Sequence, residues 1–177
     1  MWIGVIGLGA MGLGIAQVFA AAGHRVTATD ASASARESAR DRLAQALAPR
    51  VAKGALTVAN RDALLSRLTV VSRVEDLAPA DLVIEAVVER LAAKQAVFAG
   101  LELLLSPDAV LATNTSSLSV SSIAMGLARP NRVLGLHFFN PAPVMKLVEL
   151  VPHTGTYARA LARARGWAEE AGKKVVQ

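Results

Sequence analysis

The chain has 177 residues, which is enough for one domain with a sizeable core and short for two. It is 53% hydrophobic, yet no apolar run reaches the length of a membrane span, and the absence of cysteine excludes disulfides and thiolate chemistry. The net charge of +5 comes mainly from arginines interspersed with acidic residues along helical segments, so we expect neither a nucleic-acid nor a membrane partner.

The chain begins with a short apolar run, a glycine-rich turn and an amphipathic helix. The run Ile3–Ile6 leads into Gly7-Leu8-Gly9-Ala10-Met11-Gly12. Gly7 permits a tight turn, Gly9 lets backbone amides approach a diphosphate, and Gly12 lets the helix lie close to the strand. Unpaired N–H groups and the positive end of the helix dipole also favour an anion there. This order predicts a dinucleotide site in which residues 7–12 contact the cofactor.

A second predicted strand, His24–Asp30, ends in an acidic residue. Asp30 lies 18 positions after Gly12, near the distance at which a carboxylate meets the hydroxyls of an adenosine ribose. A carboxylate there repels a 2′-phosphate, so the pattern favours NAD over NADP. The alternative is that Asp30 caps the next helix, because the segment Asp30–Ser34 is also good N-cap sequence.

The rest of the chain alternates between helical and strand patterns. Helices are predicted at Ala31 to about Val51 (bent or ended by Pro49), Asn60–Ser66, the segment with apolar Leu91, Phe98, Leu101 and Leu105, Ser119–Met125, and Tyr157–Ala171. Strands are predicted at Leu68–Ser72, Asp81–Glu85, Val110–Thr113, Arg132–His137 and Lys146–Val151, and Gly172–Gln177 looks like the opening of another. The alternation predicts one α/β domain, residues 1–177, with a doubly wound, mainly parallel Rossmann-type sheet.

Polar side chains follow several of the predicted strands at the point where each strand ends. They are Asp30, Glu85, Glu89, Asn114, Ser116, Ser117 and His137. In a doubly wound fold the ligand lies outside the carboxyl ends of the strands. We therefore expect these residues to converge on one site.

The densest polar cluster is the segment Gly135–Glu149. His137 at a strand end can take a proton near neutral pH, and Glu149 could hold one ring nitrogen and stabilise the imidazolium. The turn Asn140–Pro143 would let the two strands lie side by side. The alternative is a histidine satisfied by backbone contacts and a surface Glu149 on an edge strand.

Other candidates have simpler interpretations. His24 and His153 lack comparable surroundings and are predicted to be surface histidines. Ser116 and Ser117 could cap the short helix that follows them. The chain has no nucleophile-elbow motif and no metal-ligand spacing, so we expect neither serine nucleophilic catalysis nor a metal site.

Four motifs together resemble the 3-hydroxyacyl-CoA dehydrogenase family, in that family's order and spacing. They are Gly7–Gln17, Asp81–Glu89, Thr113–Leu118 and Gly135–Glu149, the last with its His-Phe-Phe-Asn-Pro block. The resemblance spans essentially the whole chain. It implies NAD as cofactor, an acyl-CoA as substrate, oxidation of (S)-3-hydroxyacyl-CoA to 3-oxoacyl-CoA, and a place in fatty-acid metabolism such as β-oxidation.

The resemblance also implies roles for catalytic residues. His137 matches the family's catalytic base and Glu149 its orienting partner. Ser116 matches the serine near the substrate hydroxyl and the nicotinamide, and Asn140 matches an asparagine beside the histidine.

Binding residues follow from the same resemblance. Glu89 and Lys94 match residues that contact NAD, and Asn114 lies on the segment beside the nicotinamide ribose. Lys53 is a candidate contact for coenzyme A phosphates, with a plain solvent-exposed lysine as the alternative.

The family's enzymes continue into a helical C-terminal domain that supplies dimer contacts and part of the acyl-CoA cleft. This sequence ends where that connection is expected, so we expect a cofactor-binding domain with low activity alone. An apolar patch near Phe138, Phe139, Pro141 and Val144 would then be exposed, and weak self-association could follow. The start at Met1 leaves no room for a signal peptide, which favours the cytoplasm. Two further alternatives stay open: a non-catalytic NAD-binding or structural module, and a dehydrogenase of another hydroxy acid.

Overall fold

Short runs rich in valine, isoleucine and leucine form the strands, and segments of helical period lie between them. The computed structural model describes residues 1–177. Its strands are β1 (Trp2–Ile6), β2 (Arg25–Thr29), β3 (Leu68–Val70), β4 (Leu82–Glu85), β5 (Val110–Thr113), β6 (Val133–Phe138), β7 (Leu147–Val151) and β8 (Lys174–Val176). Its α-helices are α1 (Ala10–Ala21), α2 (Ala33–Ala52), α3 (Val58–Ser66), α4 (Leu91–Leu104), α5 (Val120–Ala124) and α6 (Ala158–Glu170).

All eight strands lie in one sheet, in the order β3-β2-β1-β4-β5-β6-β7-β8. Neighbouring strands pair in parallel except β6 and β7, which are antiparallel. The chain builds outwards from β1 to β3 and then places β4 on the other side of β1. Loops that leave β1 and β4 at this reversal diverge and open a crevice at the carboxyl ends of the strands. The predicted doubly wound, mainly parallel fold is confirmed.

Two apolar clusters cover the opposite faces of this sheet. Leu82 and Ile84 of β4 join one cluster, and Val83 between them joins the other, because successive side chains of a strand point to opposite faces. The larger cluster takes in apolar residues of α1, α2, α3 and α6, and the smaller takes in those of α4 and α5. The central strands are thus buried on both sides, which explains their nearly continuous apolar sequence.

The helices differ from the predictions mainly at their ends. Pro49 neither ends nor interrupts α2, which continues to Ala52. It lies in the last turn of the helix at an exposed position, where solvent can reach the carbonyl that loses its N–H partner. Two 3-10 turns, Val74–Leu77 and Pro130–Arg132, were not predicted because they are too short to show a period. None of the helices combines the length and apolar character that a membrane crossing needs.

The hairpin of β6 and β7 sets the far end of the crevice. Its register places His137 directly opposite Glu149. In the connecting turn, the N–H groups of Val144 and Met145 both donate to Pro141 O at 3.0 Å. The two strands therefore lie side by side, as the proline-rich turn predicts.

Candidate functional site

The glycine loop between β1 and α1 depends on glycine for two different reasons. Gly7 has a φ of 97°, and a Cβ there would lie 2.5 Å from Ala86 O. A Cβ on Gly12 would lie 1.7 Å from Gly7 O, so α1 packs directly on the turn. A Cβ on Gly9, in contrast, meets no protein atom within 4 Å. The fold therefore requires Gly7 and Gly12, whereas the space at Gly9 is open for a ligand that approaches the backbone.

Asp30 follows β2 and is held beside this loop. Its Oδ2 accepts a hydrogen bond from Leu8 N–H at 2.6 Å, and its Oδ1 accepts one from Ser32 N–H at 2.8 Å. Asp30 does not cap α2, because Ser32 is the N-cap and its side chain accepts from Ala35 N–H. The carboxylate is thus fixed where the sequence predicts a contact with ribose hydroxyls.

Three adjoining cavities form one groove along the carboxyl ends of the strands. The first, of about 550 Å³, includes Asp30, Val74 and Val97 in its wall. The second, of about 410 Å³, shares Asp30 and Val97 with the first and reaches Gly7 and Gly9. The third, of about 300 Å³, adjoins the second at Ala86 and Val87 and ends at His137. The groove therefore passes from Asp30 across the glycine loop to the histidine.

Part of the groove wall was not predicted from the sequence. The additional lining residues of the first cavity include Ser72, Val74, Glu75, Ala96 and Val97. They lie in the segment after β3 and on or near the exposed side of α4, and no motif marks them. Of these residues, only Ser72 and Val74 could have been predicted, because they lie at or just after the end of the predicted strand Leu68–Ser72.

A buried ion cluster supports the third cavity. Glu85, which is fully buried, accepts hydrogen bonds from Lys94 Nζ at 2.7 Å, Val87 N–H at 2.7 Å and the Thr113 hydroxyl at 2.8 Å. Lys94 Nζ also lies 3.1 Å from Glu89 Oε2. Lys94 thus bridges two carboxylates, which satisfies a buried ammonium that would otherwise be costly. Glu85, one of the polar residues predicted at a strand end, thereby positions Lys94.

Glu89 lies at the rim of this cluster and has a perturbed pKa. Burial alone would raise the pKa of its carboxyl, but hydrogen bonds from Thr115 and Lys94, the charge of Lys94 and the Ser116 N–H together lower it to about 2. The carboxylate form is therefore favoured in the folded protein at every pH well above 2.

Replacing Glu89 by glutamine should lower the free energy of unfolding at pH 7 by on the order of 1 kcal/mol, since solvent screens part of this interaction. The folded pKa lies below the ordinary value of 4.5, so the stabilisation is full above pH 4.5 and is lost as the pH falls towards 2. Urea unfolding between pH 7 and pH 2.5 should show the difference between wild type and Glu89→Gln shrinking over that window. Glu37→Gln, on the exposed side of α2, is the control. A difference that is constant with pH would contradict the assignment.

His137 and Glu149 form a hydrogen bond across the β6–β7 hairpin. Nδ1 of His137 lies 2.9 Å from Oε2 of Glu149. The imidazole also packs against the ring of Phe139, with 4.6 Å between centroids. Its side chain is 17% exposed and lines the third cavity. Because Glu149 engages Nδ1, Nε2 is the nitrogen left to exchange a proton with a ligand.

The other predicted catalytic and cofactor residues reach the same place. Asn114, Ser116 and Asn140 line the cavity with His137. Asn114 Oδ1 accepts the Phe138 N–H at 2.8 Å, which ties the end of β5 to β6. The structure thus brings together residues that are more than 20 positions apart in the chain.

Ser116 and Ser117 contact Glu89 rather than cap the short helix. The Ser116 N–H donates to Glu89 Oε1 at 3.1 Å, and the N-cap of α5 is Ser119. Lys53 is the exposed C-cap residue of α2 and does not line the groove. Its contact with coenzyme A phosphates stays a prediction.

Four residues are more buried than the sequence predicts: Phe138, Phe139, His24 and His153. Phe138 is 1% exposed, because it follows His137 in β6 and so points to the opposite face, where its ring meets Phe19. Pro141 and Val144 are exposed as predicted, and Phe139 is half-buried.

His24 and His153 are half-buried rather than surface residues. His24 packs on Phe19, where burial lowers its pKa, and His153 Nε2 lies 2.8 Å from Pro130 O.

Comparison with known proteins points to one family. Residues 2–177 match the model of the 3-hydroxyacyl-CoA dehydrogenase, NAD binding domain. The chain is 49% identical over 159 residues to the 3-hydroxyadipyl-CoA dehydrogenase of Escherichia coli, covering 90% of this chain and 34% of that relative. It is 45% identical over 177 residues to the 3-hydroxybutyryl-CoA dehydrogenase of Mycobacterium tuberculosis, covering 99% of this chain and 62% of that relative.

A solved structure agrees with these relatives. The crystal structure of 3-hydroxybutyryl-CoA dehydrogenase from Escherichia coli has a TM-score of 0.97 and 46% identity, covering 99% of this chain and 37% of that one. The chain thus spans between 34% and 62% of the length of the three proteins compared.

Proposed function

The chain belongs to the 3-hydroxyacyl-CoA dehydrogenase family, as its NAD-binding domain, and we propose that residues 1–177 supply the cofactor site and the proton-transferring histidine of a 3-hydroxyacyl-CoA dehydrogenase. The reaction is the oxidation of (S)-3-hydroxyacyl-CoA to 3-oxoacyl-CoA. The observation that carries the proposal is the 2.9 Å contact between His137 Nδ1 and Glu149 Oε2, at the end of a groove that begins at Asp30.

The residues of the groove fit a dinucleotide. The open space at Gly9 admits a diphosphate to the loop backbone, and the first turn of α1 presents N–H groups without intrahelical partners. Asp30 follows β2, the strand next to β1, and lies beside the glycine loop, where the ribose hydroxyls of an adenosine would lie. NAD bound in this groove supplies the hydride acceptor for the reaction.

The proton chemistry belongs to the hairpin. His137 Nε2 removes the proton of the 3-hydroxyl group, and the carboxylate of Glu149 keeps Nδ1 protonated and stabilises the imidazolium that forms. In the reverse direction the imidazolium returns the proton. Ser116 and Asn140, which line the same cavity, hold the substrate oxygen within reach of the ring.

A chimera tests this function. This chain would replace the matching N-terminal part of the Mycobacterium tuberculosis relative, with which it shares 45% identity. We expect the chimera to oxidise NADH with acetoacetyl-CoA, followed by the loss of absorbance at 340 nm. NADH binding without turnover would instead favour a non-catalytic module. Turnover of a simple hydroxy acid, with none of 3-hydroxybutyryl-CoA, would favour another dehydrogenase.

We expect the chain to bind NAD at least about 10-fold more tightly than NADP, because the Asp30 carboxylate would face the 2′-phosphate. Asp30→Asn should narrow the ratio of the two dissociation constants, since the amide oxygen can still accept from Leu8 N–H but carries no charge. Asp30→Ala should narrow the ratio too and also weaken NAD itself. Calorimetry with both cofactors measures this, and equal or tighter binding of NADP by wild type would refute the assignment.

A further inference from the structure

Arg42 on α2 contacts the glycine loop from a position 34 residues away. Its Nη2 donates to Leu8 O at 2.7 Å and to Ala35 O at 3.2 Å. The Leu8 N–H donates in turn to the Asp30 carboxylate at 2.6 Å. The N–H and the carbonyl of Leu8 are therefore both bound by charged side chains, one from Asp30 just after β2 and one from Arg42 of α2.

The glycine loop depends on contacts from other elements because its own sequence restrains its conformation only weakly. Gly7 and Gly9 flank Leu8, and glycine loses more conformational freedom on ordering than any other residue. Gly9 is also the N-cap of α1 and has no side chain to cap the helix. The side chain of Leu8 is fully buried and therefore fixed. The remaining conformational freedom of the loop is in the orientation of the peptide groups before and after Leu8.

The charge of Arg42 is also unusual in its setting. Arg42 is half-buried, its Nε is buried without a hydrogen-bond partner, and it forms no salt bridge. The guanidinium is bonded to carbonyl oxygens and to no carboxylate, so no direct ion pair offsets its positive charge beside the loop. An anion that binds at the loop gains from that charge, because the partly buried site screens it less than water would.

We propose that Arg42 is a positioning residue for the dinucleotide: through Leu8 it presets the backbone amides of the glycine loop for a diphosphate, and its unpaired charge favours that anion. The inference rests on the NAD binding in the proposed function and needs no turnover. Adenosine would occupy the groove beside Asp30 without contacting the glycine loop, whereas ADP-ribose and NAD would contact both. A change at Arg42 should therefore weaken the two ligands that carry a diphosphate and not adenosine.

Calorimetry with NAD and ADP-ribose, and an NMR titration with adenosine, test the proposal. Arg42→Met should weaken NAD and ADP-ribose by about 10-fold and leave adenosine within about 2-fold. Arg42→Lys keeps the charge but not the planar fork, and should fall between wild type and Arg42→Met. Arg40→Met is the matched control, since Arg40 is exposed on the same helix and makes no side-chain hydrogen bond.

Amide hydrogen exchange on the ligand-free chain gives a second readout. In Arg42→Met and Arg42→Lys, exchange should accelerate at residues 7–9 and stay unchanged in β4. Equal weakening of adenosine and ADP-ribose by Arg42→Lys, or no weakening of ADP-ribose by either variant, would overturn the role of Arg42 while NAD binding by wild type stands. Failure of wild type to bind NAD would overturn the proposed function and this inference together.

Discussion

Replacing His137 by glutamine in the chimera should lower kcat for 3-hydroxybutyryl-CoA oxidation by about 10²–10⁴-fold, the usual contribution of a general base. Glutamine can still accept a hydrogen bond from the substrate hydroxyl, but it cannot take the proton at neutral pH. The dissociation constant for NAD should change little, because His137 lies at one end of the groove and does not contact the glycine loop, where we propose that the diphosphate binds.

Two further variants separate catalysis from structure. Glu149→Gln should cost less than His137→Gln, since the amide still contacts Nδ1 but no longer stabilises the imidazolium. His24→Gln is the control, because His24 lies outside the groove. A loss of NAD affinity as large as the loss of turnover in His137→Gln would identify a structural histidine instead.

The sequence predicts those parts of the site that are encoded locally. The strand, glycine loop and helix at the amino terminus follow one another directly, so the pattern of residues 3–22 contains the whole unit. The contact of His137 with Glu149 is also predictable, because a proline-rich turn between two short strands leaves few registers. The roles of these residues in catalysis stay predictions.

Contacts between distant segments are not encoded in any such pattern. In the sequence, Arg42 cannot be distinguished from the other arginines on the solvated faces of helices. Only the packing of α2 beside the glycine loop brings its side chain to Leu8 O. Lys173 is a second case: its ammonium is buried and donates to Ala142 O at 2.6 Å and Met145 O at 2.8 Å. It thereby supports the turn next to Asn140, and burial lowers its pKa. Periodicity cannot reveal such partners, because they depend on which elements the fold brings together.

The prediction that Phe138 is exposed is wrong because of the alternation of side chains along β6. His137 faces the groove, and alternate residues of a strand face opposite sides, so Phe138 must point into the core on the other face. The His-Phe-Phe-Asn-Pro block does not by itself distinguish Phe138 from Phe139, whereas the period of two along β6 does.

Substitutions at Gly9 and Gly12 should both weaken NAD binding, but only the substitution at Gly12 should cause a large loss of stability. Gly9→Val should lower the free energy of unfolding by no more than about 1 kcal/mol, because a Cβ at this N-cap position meets no protein atom within 4 Å and the φ of −67° is accessible to valine. It should weaken NAD by about 100-fold or more, since the side chain occupies the space that a diphosphate needs against the backbone.

Gly12→Ala should lose both properties, because its Cβ would lie 1.7 Å from the carbonyl oxygen of Gly7 and 2.8 Å from the carbonyl carbon. Backbone atoms cannot give way as the end of a side chain can, so α1 must move off the turn and the loop amides move with it. We expect a loss of several kcal/mol in unfolding free energy and no measurable NAD binding.

Gly166→Ala is the control: its Cβ also meets nothing within 4 Å, and inside α6 alanine should stabilise the protein by about 0.5–1 kcal/mol. Urea unfolding and calorimetry on the three variants measure both quantities. Wild-type NAD affinity in Gly9→Val would mean that the diphosphate does not contact this loop, and wild-type stability in Gly12→Ala would mean that α1 does not depend on its close contact with Gly7.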